Sequence, residues 1–193
     1  MGMYVDPGNE SFNRAVRSDI YIDKTEMLTI LNQNIGKERC YFAVSRARRF
    51  GKSMAAGMLD AYYSVGCDST ELFSKFKIAR DADFGTYLNQ YHVLHFDMST
   101  FLNQAVEGKN PIELMNDTIL EEFRECYPMV VDEKIRTVPK AVEAVWKSDK
   151  RQFVIIIDEW ECVIRDAKTK RNLTKTGWQM KEPKIRTNGR TVM

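Results

Sequence analysis

At 193 residues, 44% hydrophobic and 29% charged, the chain has enough apolar material for one domain with a real core. Its formal net charge of +2 sets up no global field that argues for nucleic acid or a membrane surface. No apolar run approaches the roughly 20 residues of a spanning helix, and the amino terminus lacks the charged-then-apolar pattern of a secretion signal.

Residues 1–17 contain Pro7-Gly8-Asn9 and scattered charge, and are expected to form a flexible N-terminal segment. Tyr21-Ile22-Asp23-Lys24-Thr25 reads as a short extended piece. Asp23 or Thr25 then caps a helix carrying Met27, Leu28, Ile30, Leu31 and Ile35.

The next stretch, YFAVSRARRFGKSMAAGMLDAYY from Tyr41 to Tyr63, has the form of a buried strand, a basic turn and an apolar-periodic helix. A Gly-Lys-Ser tripeptide alone often means no more than a polar helix start, but strand and helix flanks change its meaning. Gly51 lets the backbone approach a phosphate where a Cβ collides, and the amides that open the helix point at an anion. In that reading Arg48, Arg49, Phe50, Gly51, Lys52, Ser53 and Met54 bind the nucleotide. Lys52 reaches the terminal phosphates and also serves catalysis, and the Ser53 hydroxyl is a Mg²⁺ ligand. One position departs from the usual G-x-x-x-x-G-K-S/T pattern: Arg46 stands where a glycine is expected.

Met54, Met58, Leu59, Tyr62 and Tyr63 give the helix a face for a sheet, and Leu72, Phe73, Phe76 and Ile78 add packing. YHVLHF, from Tyr91 to Phe96, is a second strand ending at Asp97. His92 and His95 are an odd number of residues apart, point to opposite faces and cannot share a metal; both read as packing or edge histidines. Asp97 is either a turn cap or a group behind the metal site. Asn110-Pro111 opens a helix that ends near Tyr127-Pro128, and Ala141 to Trp146 belongs to another.

Phe153 to Glu159, FVIIIDE, is apolar and β-branched like a strand buried on both faces in a parallel sheet. Ligands of open α/β sheets gather at the carboxyl ends of strands, which is where its two acids fall. Asp158 is accordingly the second Mg²⁺ ligand, and Glu159 the catalytic group that orients or polarises water. From Asp166 onward apolar periodicity vanishes and Lys and Arg recur, with a turn signal at Asn188-Gly189. Residues 167–193 are expected to be a basic polar tail, either truncated or out of frame, or a hairpin filling a gap in the sheet.

Together these residues resemble the bacterial AAA-ATPase-like family with an R-P-R-R-F-G-K-S loop. Arg46 to Ser53 matches that loop, Tyr21 to Thr25 its V-D-K-T/S segment, His95 to Ser99 its l-D-f-S strand end, and Ile157 to Trp160 its I-D-E-Y/W. Ala47 replaces the usual proline and Glu161 a common aspartate. The resemblance implies a P-loop NTPase-like three-layer sandwich of α/β class with a mainly parallel sheet, incomplete at its C-terminus, over residues 18–166. It implies ATP and Mg²⁺ as cofactors, with adenine resting on the resemblance alone, and puts residues 21–25 near the nucleotide base. Family members commonly continue into a PD-(D/E)xK-like nuclease domain, and no such sequence follows here.

The expected function is Mg²⁺-dependent ATP binding with weak hydrolysis, because the later strands, the polar sensor and the arginine finger are not found in the sequence. Two alternatives stay open: a non-catalytic interaction module or remnant, and a nucleic-acid-associated protein using Arg46, Arg48, Arg49 and the basic tail. An exposed sheet edge is expected to invite self-association or a protein partner. The four cysteines, Cys40, Cys67, Cys126 and Cys162, lack C-x-x-C spacing and read as reduced, buried thiols of a cytoplasmic protein.

Overall fold

Two apolar strands far apart in sequence pair side by side and in the same direction. In the computed structural model, which describes residues 2–18, 20–38, 40–44, 50–105 and 110–165, β1 (His92–Asp97) and β2 (Phe153–Asp158) form a parallel sheet. The register runs from His92 against Phe153 to Asp97 against Asp158. Because side chains alternate along a strand, Val93, His95 and Asp97 share one face with Val154, Ile156 and Asp158.

That face is covered by α3 (Lys52–Tyr63), whose Met58, Ala61, Tyr62 and Tyr63 join Val93, Phe12, Leu28, Ile78 and Phe73 of α4 (Thr70–Ser74) in one core, with α5 (Phe84–Tyr87) packed against it. The opposite face, Leu94 and Phe96, meets α6 (Met98–Gln104), α7 (Pro111–Cys126) and α8 (Val138–Asp149) through Phe101, Ile119, Leu120, Phe123, Ala141 and Val145. A wholly buried phenylalanine such as Phe123 contributes about 3–5 kcal/mol against truncation to alanine. Helix starts follow local chemistry: Asn110 Oδ1 accepts from the Ile112 amide at 3.0 Å ahead of Pro111, and Asp97 Oδ1 accepts from the Ser99 amide at 2.7 Å.

The N-terminal segment is not the loose lead-in its composition suggests. Residues 10–16 form α1 (Glu10–Val16), and α1 packs on α3 where Gly57 leaves room; a Cβ there would lie 3.3 Å from Ser11 Oγ. Val5, wholly buried, bridges Leu94 on the outer side of β1, with His95 N donating to Tyr4 O at 2.8 Å. Below it lies a closed polar cluster. Asp6 Oδ1 accepts from Val93 N at 2.6 Å, and its Oδ2 accepts from the Tyr127 hydroxyl and lies 3.2 Å from His92 Nδ1. His92 Nε2 in turn lies 2.9 Å from Asp149 Oδ2. Burying a carboxylate costs stability unless it is saturated with partners, and this one is. Pro7 and Gly8 mark a turn, but their neighbours gain these long-range partners.

Three further expectations change. Tyr41 to Val44 forms no strand: residues 40–44 pair with nothing among the described residues, and Tyr41 is 91% exposed. β2 is not buried on both faces, since Ile155 and Ile157 are about half exposed and the strand is bonded on the β1 side alone among the described residues. The two differences have one cause, because a strand needs a neighbour to satisfy its backbone and cover its side chains. The cysteines are free, but only Cys162 is buried; Cys40 is exposed. The α/β class stands with helices against both faces of the sheet, and the tail with its Asn188-Gly189 turn lies outside the described residues.

Candidate functional site

The carboxyl ends of β1 and β2 and the amino end of α3 meet at one place. Gly51 caps α3 with φ 76°, a left-handed conformation that a side chain resists, which is why glycine stands immediately before Lys52. Ser53, in the first turn, donates its hydroxyl to Asp158 Oδ2 at 2.8 Å, and Asp158 Oδ1 accepts from the Glu159 amide at 2.9 Å. Residues 105 apart in sequence are joined there.

Lys52 reaches the same acidic run. Its Nζ lies 3.2 Å from Glu161 Oε1 and 3.9 Å from Glu159 Oε1, and Lys52 and Arg49's neighbour Phe50 stand on either side of Gly51. Glu161 is held below the usual carboxylate range by its own backbone amide and by Lys52. Glu159 has φ 48°, unusual for a residue with a side chain, and its carboxylate also lies 3.4 Å from Arg165 Nη2. Strain of that kind persists where surrounding contacts over-determine the backbone, and here a strand end, a hydrogen bond and two cations do so.

Phe50 is 65% exposed and Met54 39% exposed, so neither is committed to the core. Arg46, Arg48 and Arg49 lie outside the described residues. The structure therefore brings Gly51, Lys52, Ser53, Asp158 and Glu159 together. The hard oxygens of Ser53 and Asp158 fit Mg²⁺, which takes few protein ligands and keeps waters or phosphate oxygens for the rest. Among the described residues no group of three or more His, Cys, Asp or Glu is disposed to hold a metal unaided.

A family model described as Predicted AAA-ATPase matches residues 8–182. The chain belongs to this AAA-ATPase-like family. No curated protein and no solved structure matches it. Membership supports an ATPase-like domain, and no described helix is long and apolar enough to cross a membrane.

Two residues of this candidate site escape sequence reasoning. Glu161 gives no signal of its own as a partner for Lys52, since that pairing depends on how the chain turns after β2. Lys24 donates to the Phe50 carbonyl at 2.9 Å, across 26 residues of sequence. Its segment was legible, but its direction was not. His95 is also more than packing: its Nδ1 lies 2.7 Å from Oδ2 of the buried Asp60 on α3. Burial alone lowers the His95 pKa, but the hydrogen bond and charge of Asp60, with the charges of Asp158 and Asp97, hold it above the ordinary imidazole range. Asp60 Oδ1 is buried without a hydrogen-bond partner among the described residues.

Proposed function

We propose that this chain is an ATP-binding, Mg²⁺-dependent domain of the AAA-ATPase-like family, on a P-loop NTPase-like sandwich, with slow hydrolysis. The observation that carries this reading is the Ser53–Asp158 hydrogen bond, because it couples a helix-opening hydroxyl to a strand-end carboxylate beside Lys52. Arg48, Arg49, Phe50, Gly51, Lys52, Ser53 and Met54 line the phosphates in this proposal, and Ser53 with Asp158 hold the metal. Mg²⁺, when bound, supplies charge neutralisation on phosphate oxygens.

The remaining work falls to the chain's own groups. Lys52 leaves Glu161 and turns its ammonium to the terminal phosphates, exchanging one anionic partner for a more highly charged one. The Gly51 turn exposes the first amides of α3 to the same oxygens. Glu159 orients a water against the terminal phosphate, and its hydrogen-bonded, left-handed backbone fixes the direction from which its carboxylate approaches.

The test is titration of a fluorescent ATP analogue with and without Mg²⁺, beside a Lys52→Ala variant. Low-micromolar, Mg²⁺-dependent binding lost in the variant is the expected result. A folded protein that binds no analogue would leave an interaction module in place of an ATPase.

A further inference from the structure

The segment Asp23-Lys24-Thr25 is more firmly anchored than a loop leading into a short helix requires. Asp23 Oδ1 accepts from the amide and hydroxyl of Thr25 at 2.8 and 2.7 Å, and its Oδ2 accepts from Lys77 N at 3.0 Å. Thr25 is wholly buried, and its Oγ1 accepts from Ile78 N at 3.2 Å. These bonds pin the backbone between α2 (Glu26–Asn32) and the 3₁₀ turn Lys77–Arg80, and they occupy the Asp23 carboxylate. Lys24, between two fixed residues, extends to the loop.

Its ammonium group arrives where a cation is least at ease. One N–H donates to Phe50 O, and Nζ lies 3.0 Å from where a Cβ on Gly51 would stand, immediately ahead of α3. A helix N-terminus is the positive end of the helix dipole and favours anions. Lys52, a second cation at the same end, is answered by Glu161 and Glu159. Among the described residues no carboxylate lies within 4.0 Å of Lys24 Nζ, and the adjacent Asp23 is turned away to Thr25 and Lys77. Two N–H groups and one full charge are left beside Gly51. A neutral side chain suffices to hold a backbone carbonyl, which leaves the exposed ammonium available to an anion arriving at Gly51.

We infer that Lys24 is a second phosphate-binding cation of the site, reaching the polyphosphate chain of the nucleotide beside Gly51. This rests on the proposed ATP-binding reading. It also moves residues 21–25 from the nucleotide base, where resemblance put them, to the phosphates. A polyphosphate bound there gains a hydrogen-bonded cation in addition to Lys52 and the α3 amides, while the carbonyl contact to Phe50 keeps the ammonium from swinging into solvent.

The experiment compares wild type, Lys24→Gln, Lys24→Arg and Lys52→Ala for binding of the fluorescent ATP analogue and of inorganic pyrophosphate, each with Mg²⁺, at several salt concentrations. Glutamine keeps an N–H donor but carries no charge. Expected is a loss of roughly ten- to hundredfold for both ligands in Lys24→Gln, the range of one hydrogen bond to a charged group. A shallower dependence of affinity on salt should accompany it, with most of the affinity kept in Lys24→Arg. Since Lys24 is exposed, thermal midpoints of the two Lys24 variants should agree with wild type. If wild type binds and Lys24→Gln binds both ligands equally well, Lys24 is a prop and the inference fails alone. Equal losses in Lys24→Gln and Lys24→Arg, with lowered midpoints, overturn it as well. Failure of wild type to bind either ligand sinks the ATP-binding reading, and this inference with it.

Discussion

Both ends of the β1–β2 pair gather carboxylates with polar partners, and the two gatherings do opposite things. At the amino end, Asp6, His92, Tyr127 and Asp149 close a cluster in which His92 is 2% exposed. At the carboxyl end, Lys52, Ser53, Asp158, Glu159 and Glu161 stand partly in solvent around a left-handed glycine and a left-handed glutamate. The first end spends its polar groups on each other. The second holds them in pairings that a highly charged ligand can displace. The difference teaches that partner saturation, rather than the presence of charge, separates a stabilising cluster from a candidate binding site.

Breaking the closed end should have the largest effect. Asp6→Ala strips a buried cluster of the carboxylate that binds Val93 N, Tyr127 and His92, and should cost about 3–5 kcal/mol in urea unfolding. Breaking the open end should leave the fold nearly intact. Lys52→Ala should change unfolding free energy by no more than about 1 kcal/mol, while weakening the Mg²⁺-dependent ATP analogue by roughly ten- to hundredfold. If the two variants exchanged these phenotypes, the division between the ends would be wrong.

Glu161→Gln sharpens the comparison by a smaller amount. It removes the anion that Lys52 must leave, and analogue affinity should rise roughly two- to fivefold, the worth of a solvent-reachable ion pair. Unchanged or weaker binding would mean that Glu161 does not compete for Lys52.

The finest probe is pH. Burial lowers the His92 pKa, but hydrogen bonds and charge from Asp6 and Asp149 outweigh it, so the folded value lies above the unfolded 6.5. Stability from this group is therefore complete below pH 6.5 and is lost as pH rises through the raised folded value. Unfolding midpoints should fall with rising pH across that window, and His92→Gln should flatten the slope. His95, raised in the same direction by Asp60, Asp158 and Asp97, keeps part of it. A slope as steep in His92→Gln as in wild type would refute this account.

What the sequence disclosed, and what it hid, follows from the range of the forces involved. Helix α3 was legible because its signals are local: Gly51 ahead of it and Met58, Tyr62 and Tyr63 at helical spacing. The same holds for Asn110-Pro111 before α7 and for the β-branched run of β2. The opposite faces of His92 and His95 follow from strand alternation alone, and the structure agrees. The Gly51 to Ser53 turn and the Asp158-Glu159 pair could be assigned to one site because strand order predicts which ends converge. Hidden were the partners that only tertiary approach creates, such as Glu161 for Lys52, Lys24 for Phe50 and Asp60 for His95. The order of residues 2–18 was missed for the same reason, since Val5 and Asp6 are fixed by Leu94, Val93 and Tyr127 and by nothing nearby in sequence. Tyr41 to Val44 failed in the other direction, because β propensity without a neighbouring ladder does not make a strand.

The outer side of β2 links these observations. Asp158 is the last residue of the strand that leaves Ile155 and Ile157 half exposed. Any chain laid along that side reaches the carboxylate through six residues of continuous backbone. Thermodynamic reciprocity then ties the two events: if occupancy of the edge shifts nucleotide affinity by some factor, nucleotide must shift the edge's affinity by the same factor.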